Sequence, residues 1–386
     1  MSAISGMPAA IGADLLGLRG ATAPEATSAA PVPRPSPVAP PPPPADLRPW
    51  RVEGGALLVV DQRALPGAHV ELRGDPVAAA VSLIEGGAVP AGPAIAEVAV
   101  TAYLASARET LTGPDAAAKV RSLGWNLRLL RTARPSSGAL AAALLRLEGA
   151  IADAGTEPDP AGLLERLEAA GDGFLDELRR GCVALVAAGG EVLAEHLGDG
   201  PGLLTLGTSG PLAGGGAGSA IGVMAAVARR LPGTRAFIAE TRPSLLGARI
   251  GALELMRLGV PTTVVPDAAI PELVRAGLLR AAIVPAEGVT AGGDLVGIAG
   301  TAGLAAQLAV AGVPLIVAAP TPTTEVPVAE PTASAIPRAA ADLLTAEGRR
   351  IAAPGADGWA SLVDLTPRAL LGARLDEAGA RPIDPA

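Results

Sequence analysis

Aromatic side chains make up only 2% of the 386 residues, and the chain has one cysteine, two histidines and a single lysine, Lys119. Each scarcity excludes something. With Cys182 alone an internal disulfide is impossible. His69 and His196 are too far apart for the usual Cys/His zinc spacing, so no metal is expected. A Ser-His-Asp or Cys-His catalytic arrangement has no support. Cys182, inside the helical-looking LRRGCVALVAAGG, reads as a small buried hydrophobe, and His196, next to Glu195 near a helix end, as a surface residue. A net charge of -8 with so few aromatics leaves no basic footprint or stacking platform for nucleic acid. Apolar runs such as AAIVPA are strand-length, far below the ~20 residues that span a bilayer. The N-terminus has no basic region, and Gly12 and Asp14 interrupt its apolar stretch. A cytoplasmic protein without membrane association is expected.

What is plentiful must be discounted before it is read. There are 49 glycines and 38 prolines, and arginine carries nearly all the positive charge. GC-rich codons produce that pattern, so part of the Ala, Gly and Arg content reflects mutational drift. The length suits about two domains, and 49% hydrophobic residues suffice for packed cores. Residues 21–48 form a proline island ending in PVPRPSPVAPPPPPADLR. Proline at that density removes backbone donors and fixes φ, which predicts an extended, unpacked tail or linker over 1–48.

Residues 51–66 read as a strand or hairpin. Helical periodicity follows at 75–86, 93–110, 114–131 and 137–153, and then in a long bridging helix at 160–187. These elements predict a mostly helical domain over 49–187. From 188 to 386, the apolar runs LLTLG, RAFIAE, TTVVP, AAIVPA and PLIVAAP alternate with helical patterns at 217–231, 243–258, 268–279 and 300–311. Continuous apolar strands between helices imply a parallel sheet covered on both faces. The expected fold class is α/β: an N-terminal mostly helical domain followed by a Rossmann-like, doubly wound parallel-sheet domain.

Such sheets bind ligands at the carboxyl ends of their strands. The first strand ends in Gly207-Thr208-Ser209-Gly210, with Gly214, Gly215, Gly216 and Gly218 before the next helix. Glycines allow close backbone approach, and a helix N-terminus offers N–H groups to an anion. The second strand ends in Glu240-Thr241-Arg242-Pro243. The fourth ends in Pro285-Ala286-Glu287-Gly288, with Gly293-Asp294 close behind. Two carboxylates and an arginine are thus expected at an anion-tolerant crevice. The GxGxxG dinucleotide spacing is not met, because Ile221 stands three residues after Gly218, and no Gly-Lys-Ser/Thr occurs. No cofactor is expected.

The run FIAETRPSLLGARIGALELMRLGVPTTVVPDAA (237–269) resembles the methylthioribose-1-phosphate isomerase family, which shares its fold with the alpha, beta and delta subunits of initiation factor 2B. The resemblance continues at Asp61-Gln62 with Leu65-Pro66, Pro93-Ala94-Ile95, Ala133-Arg134-Pro135, Gly293-Asp294, Gly300-Thr301 and Asp364-Leu365-Thr366-Pro367. It covers roughly residues 51–383. It implies a homodimeric aldose-ketose isomerase of methionine salvage that works without metal. In such enzymes a cysteine and an aspartate manage the transfer between C2 and C1, while arginines and backbone amides hold the phosphate.

The chain departs from this pattern at the chemistry. Gly207 stands at the family's cysteine and Glu287 at its aspartate. Pro90-Ala91-Gly92 replaces Arg-Gly-Ala, Leu246 a glutamine, and Gly297-Ile298 an Asn-Lys pair. Glycine offers nothing to ionise. The Ala-Glu-Gly-Val run at 286–289 looks like the non-catalytic initiation factor 2B subunits. Arg134 reads as a phosphate anchor or an interdomain salt bridge, and Glu287 as a residual acid/base or a structural carboxylate. Glu240 and Arg242 are expected to pair and shape the crevice, with ligand contact second. Asp294 reads as a sugar-hydroxyl ligand or as the cap of the following helix. With Thr208, Ser209 and Gly210 these form the candidate binding set. The expectation is a divergent relative that binds a small anion, of sugar-phosphate type, with isomerase chemistry impaired or lost. An active sugar-phosphate isomerase and a non-catalytic regulatory subunit are the alternatives.

Overall fold

The apolar residues sort into three large cores that follow the two periodicities of the chain, and a small fourth cluster of Val60, Leu65, Leu212 and Ile250. The computed structural model describes residues 48–113, 116–155, 159–330, 337–346 and 348–383. Apart from Arg48, the proline-rich segment expected over 1–48 lies outside them. Helices Val77–Glu85, Ala94–Thr112, Ala116–Ala133 and Gly138–Asp153 and the first half of helix Pro160–Leu197 share the first core. Leu123, Leu127 and Leu130 enter it from one helix and Leu140, Leu144 and Leu147 from the next. Steps of three and four keep each set on a single helical face.

Helix Pro160–Leu197 joins this core to the sheet. Proline takes its first position, and the Asp159 side chain accepts a hydrogen bond from the Gly162 amide at 2.9 Å. Its 38 residues span about 57 Å. Leu163, Leu167, Phe174 and Leu178 pack into the helical core, while Leu185, Leu193 and Leu197 pack against the sheet. The helix thus runs ten residues beyond the expected 187. Gly189 and Gly190 do not end it but serve close packing. A Cβ at either would overlap Leu375 or Ala226 on the neighbouring elements.

Seven strands form the main sheet, in the order Gly379–Pro382, Ala373–Asp376, Leu315–Ala318, Ala281–Pro285, Gly202–Leu206, Arg235–Ala239 and Thr262–Val265. All pairings are parallel except that of the Gly379–Pro382 edge strand. Alternate residues face opposite cores. Leu203, Ala236, Ile238, Ala281 and Ile283 pack under helix Ala220–Arg230, whereas Leu204, Phe237, Ala282 and Val284 pack under helix Thr301–Ala311. Burial of both faces explains why these strands read as unbroken apolar runs. No helix among the described residues is long and apolar enough to cross a membrane.

The hairpin Trp50–Glu53 and Ala56–Val60 forms within the expected stretch and gains a third strand, Glu71–Arg73. A small antiparallel sheet of Gly288–Val289, Leu295–Ile298 and Val363–Thr366 sits beyond the carboxyl ends of the main strands.

Candidate functional site

A cleft of about 130 Å³ opens where the helical half meets the carboxyl ends of the sheet. That volume suits a small ligand rather than a dinucleotide. Buried Gln62, Ile84, Arg134 and Ile298 lie deepest, half-buried Arg242, Ser244, Leu246, Arg249 and Leu362 form the walls, and exposed Arg63, Glu85 and Asp342 stand at the rim. Of the expected binding residues, Arg134 and Arg242 line the cleft. Glu240, Glu287, Asp294 and the Gly207–Gly210 turn lie outside its lining.

The wall after strand Arg235–Ala239 is held in an uncommon backbone shape. Thr241 and Leu245 have φ of 65° and 55°, a region that costs a β-branched or bulky residue on the order of 1–3 kcal/mol. Asp267 offsets this by accepting the amides of Thr241 and Arg242 at 2.8 and 2.7 Å. Arg249, in the π-helical turn Gly247–Gly251, donates to the carbonyls of Gln62, Leu65 and Ser244 at 2.8–3.4 Å and to that of Arg63 at 2.5 Å. This joins the two halves across the cleft. The Arg242 guanidinium donates to the carbonyl of Asp342 at 3.3 Å, so it is only weakly tethered. The expected Glu240–Arg242 pair does not form, because the turn points Arg242 away along the wall.

Behind the cleft, the Arg134 Nε donates to Glu287 Oε1 at 2.6 Å and its Nη2 to the carbonyl of Pro90 at 3.0 Å. The pair is buried and links the helical half to the fourth strand. The Gly138 amide also donates to the Glu287 carbonyl at 2.9 Å, so both the side chain and the backbone of Glu287 serve this junction.

Gly207 has φ of 69°, which side-chain-bearing residues rarely adopt, and a Cβ built there would overlap Cδ1 of Ile298. The isoleucine methyl fills the space that any side chain at 207 would need. The two departures from the isomerase pattern are therefore one packing solution.

The glycine-rich turn presents its donors to internal carboxylates. Glu254 accepts from Thr208 Oγ1 at 2.9 Å and from the amides of Gly210 and Leu212 at 3.1 and 2.7 Å. Ser209 Oγ accepts the Ile221 amide at 3.1 Å. Farther along, Glu97 accepts the Gly215 amide at 3.0 Å and Trp50 Nε1 at 2.9 Å. Burial pushes Glu97 above the usual carboxylate range and Glu254 up to about 7, even though the donors around Glu254 favour its charged form. The native chain thus takes up a proton at Glu254 between pH 7 and 4.5 that the unfolded chain does not. This group makes stability rise as pH falls through that window, by up to about 3 kcal/mol. Urea melts at pH 5 and 7.5 should show Glu254→Gln with a less negative slope of stability against pH than the native sequence. Equal slopes would mean that Glu254 does not titrate there.

Asp294 does not cap the helix that follows it. Its Oδ1 accepts the Arg368 amide at 2.8 Å, and Asp364, on the adjacent strand, caps helix Thr301–Ala311 through the amides of Gly300 and Ala302 at 2.7 and 3.1 Å. Strand Leu295–Ile298 intervenes between Asp294 and the helix and carries the carboxylate out of reach. Cys182 is buried, and burial raises its thiol pKa. The His196 ring nitrogen Nδ1 lies 2.7 Å from the Val192 carbonyl one turn earlier. No group of three or more metal-ligating side chains occurs among the described residues. Sequence reasoning missed Glu97, Glu254, Asp267 and Arg249. The available signal was an isolated acid inside an apolar helical run, as in AIAEVAV and GALELM.

These features define a two-part α/β protein with an arginine-bearing cleft at the carboxyl edge of a doubly wound sheet. The family model described as the Initiation factor 2 subunit family matches residues 91–382, and the chain belongs to that family. A methylthioribose-1-phosphate isomerase from Syntrophobacter fumaroxidans is 32% identical over 330 residues, covering 85% of this chain and 92% of that protein. Another, from Synechococcus sp., is 34% identical over 338 residues, with coverage of 85% and 92%. Among solved structures, the 5-methylthioribose 1-phosphate isomerase of Pyrococcus horikoshii superposes with TM-score 0.70 at 23% identity over 86% of this chain and 92% of the other. The translation initiation factor eIF-2B delta subunit from A. fulgidus gives 0.65 at 24% identity over 87% and 96%. Both likenesses support the mostly helical N-terminal part and the Rossmann-like sheet expected from sequence.

Proposed function

We propose that this protein binds a small phosphorylated anion in the cleft and has lost the isomerase chemistry named in its relatives, which the family resemblance implies to be an aldose-ketose conversion. The observation that carries the reading is the fit of Ile298 against Gly207. An isomerisation between C2 and C1 needs a group that can take and return a proton beside the substrate. Position 207 offers no such group, and a side chain there would need a left-handed backbone angle and would have to displace the Ile298 δ-methyl. Glu287 is engaged with Arg134 behind the cleft, and the carboxylates that line the cleft, Glu85 and Asp342, sit on its exposed rim. Anion binding draws support from Arg134 and Arg242, both at the lining, with Arg242 tethered by a single long hydrogen bond. In this reading the chain is a cytoplasmic homodimer built from a helical domain over 49–187 and a sheet domain over 188–386.

Phosphorus NMR of the purified chain with methylthioribose 1-phosphate tests both parts. The expected outcome is a shifted or broadened phosphate resonance and no ketose product. Arg242→Ala should weaken the perturbation about tenfold. Conversion to the ketose would refute the loss of chemistry. An unperturbed resonance at millimolar ligand would refute anion binding.

A further inference from the structure

The cleft places cationic and apolar groups together, with its two carboxylates, Glu85 and Asp342, on the exposed rim. Leu246 and Leu362 are half-buried on its walls, and Ile84 and Ile298 are buried at its deep end. The polar side chains nearby are mostly committed. The Gln62 amide nitrogen donates to the Leu212 carbonyl at 2.8 Å, which leaves only its buried Oε1 without a partner, and Arg249 is spread over backbone carbonyls. Ser244 Oγ donates to the Thr241 carbonyl at 3.2 Å. A ligand hydroxyl facing Leu246 or Ile298 would lose its water without gaining a partner, at a substantial cost in affinity.

We infer that the cleft selects a phosphate monoester with a short apolar body over a polyol phosphate, and that Leu246 and Ile298 set this selection. The inference rests on the anion-binding reading and narrows it to a ligand class. The phosphate meets the guanidinium groups of Arg134 and Arg242, and the alkyl or aryl body lies against Leu246, Ile298 and Leu362. Each methylene buried there strengthens binding about fourfold. An n-butyl ester should therefore bind at least tenfold more tightly than inorganic phosphate, even with only half of its chain buried.

The test is calorimetric titration of the full chain with n-butyl phosphate, ribose 5-phosphate and inorganic phosphate. The expected order is n-butyl phosphate tightest, by about tenfold over each of the others. Leu246→Gln, which places an amide on the wall, should bring the butyl and ribose esters close to parity. If ribose 5-phosphate binds as tightly as n-butyl phosphate or more so, the selection is wrong while anion binding stands. If no phosphate binds, the anion reading fails and takes this inference with it. If Leu246→Gln leaves the preference for the butyl ester intact, Leu246 is not the determinant.

Discussion

Replacing Arg134 by methionine is expected to destabilise the chain by about 3–5 kcal/mol, the usual cost of leaving one member of a buried ion pair without its partner. The Glu287 side chain is 2% exposed and has no other ion-pair partner among the described residues. Its charge cannot be rehydrated without opening the junction between the fourth strand and helix Gly138–Asp153. The double change Arg134→Met with Glu287→Leu removes both charges and should recover most of the loss, because similar apolar replacements of buried pairs are often close to neutral. Urea melts of Arg134→Met, Glu287→Leu and the double variant supply the cycle. A single variant within 1 kcal/mol of the native chain would show that the pair is hydrated and does not hold the junction.

The second large effect is expected at Gly207. Gly207→Cys restores the residue type of the isomerase pattern, yet it should destabilise the chain by about 2–5 kcal/mol and yield no turnover. Two costs add: a left-handed backbone angle, worth about 1–2 kcal/mol, and the overlap of the new Cβ with the Ile298 methyl, worth about 1–3 kcal/mol. Ile298→Ala removes the second cost only. The pair of substitutions should therefore be more stable than the sum of the single effects by 1 kcal/mol or more. Additive effects in thermal melts would mean that the isoleucine does not fill the space at 207. Turnover by Gly207→Cys alone, followed by phosphorus NMR, would mean that Glu287 can leave Arg134 and act as an acid or base.

The sheet was legible because its central strands are buried on both faces, so LLTLG, RAFIAE and AAIVPA read as short apolar runs whose polar residues, Thr205, Arg235 and Glu240, form no helical stripe. Strand Glu71–Arg73 was not legible. It is three residues long and polar, and only its pairing with Ala56–Val60 defines it. The small sheet beyond the main strands escaped notice for a similar reason. Gly288–Val289 is a strand only because Leu295–Ile298 lies beside it. The long helix continues past the expected 187 through Gly189-Gly190, because those glycines serve close packing rather than a turn.

At the site, residue types were easier to read than their partners. Arg134 and Arg242 were identified as cleft residues, but the partner of Arg242 is a backbone carbonyl on a distant helix. The glycine-rich turn read as open to an anion because glycine reports backbone freedom, not where the N–H groups point. The carboxylates that meet those groups come from Glu97 and Glu254, about 118 and 42 residues away in sequence. Local pattern carries no information about such pairings.

Arg249 grips the seam between the two halves through main-chain oxygens of residues 62, 63, 65 and 244. A grip of that kind is indifferent to side-chain identity at those four positions. Substitutions can accumulate around the mouth of the cleft without loosening the joint that shapes it, provided the backbone path is kept. The architecture can therefore outlast any particular chemistry, as a mould outlasts its castings, and a lineage can exchange cysteine, lysine and glutamine for glycine, isoleucine and leucine without first having to solve its folding problem again.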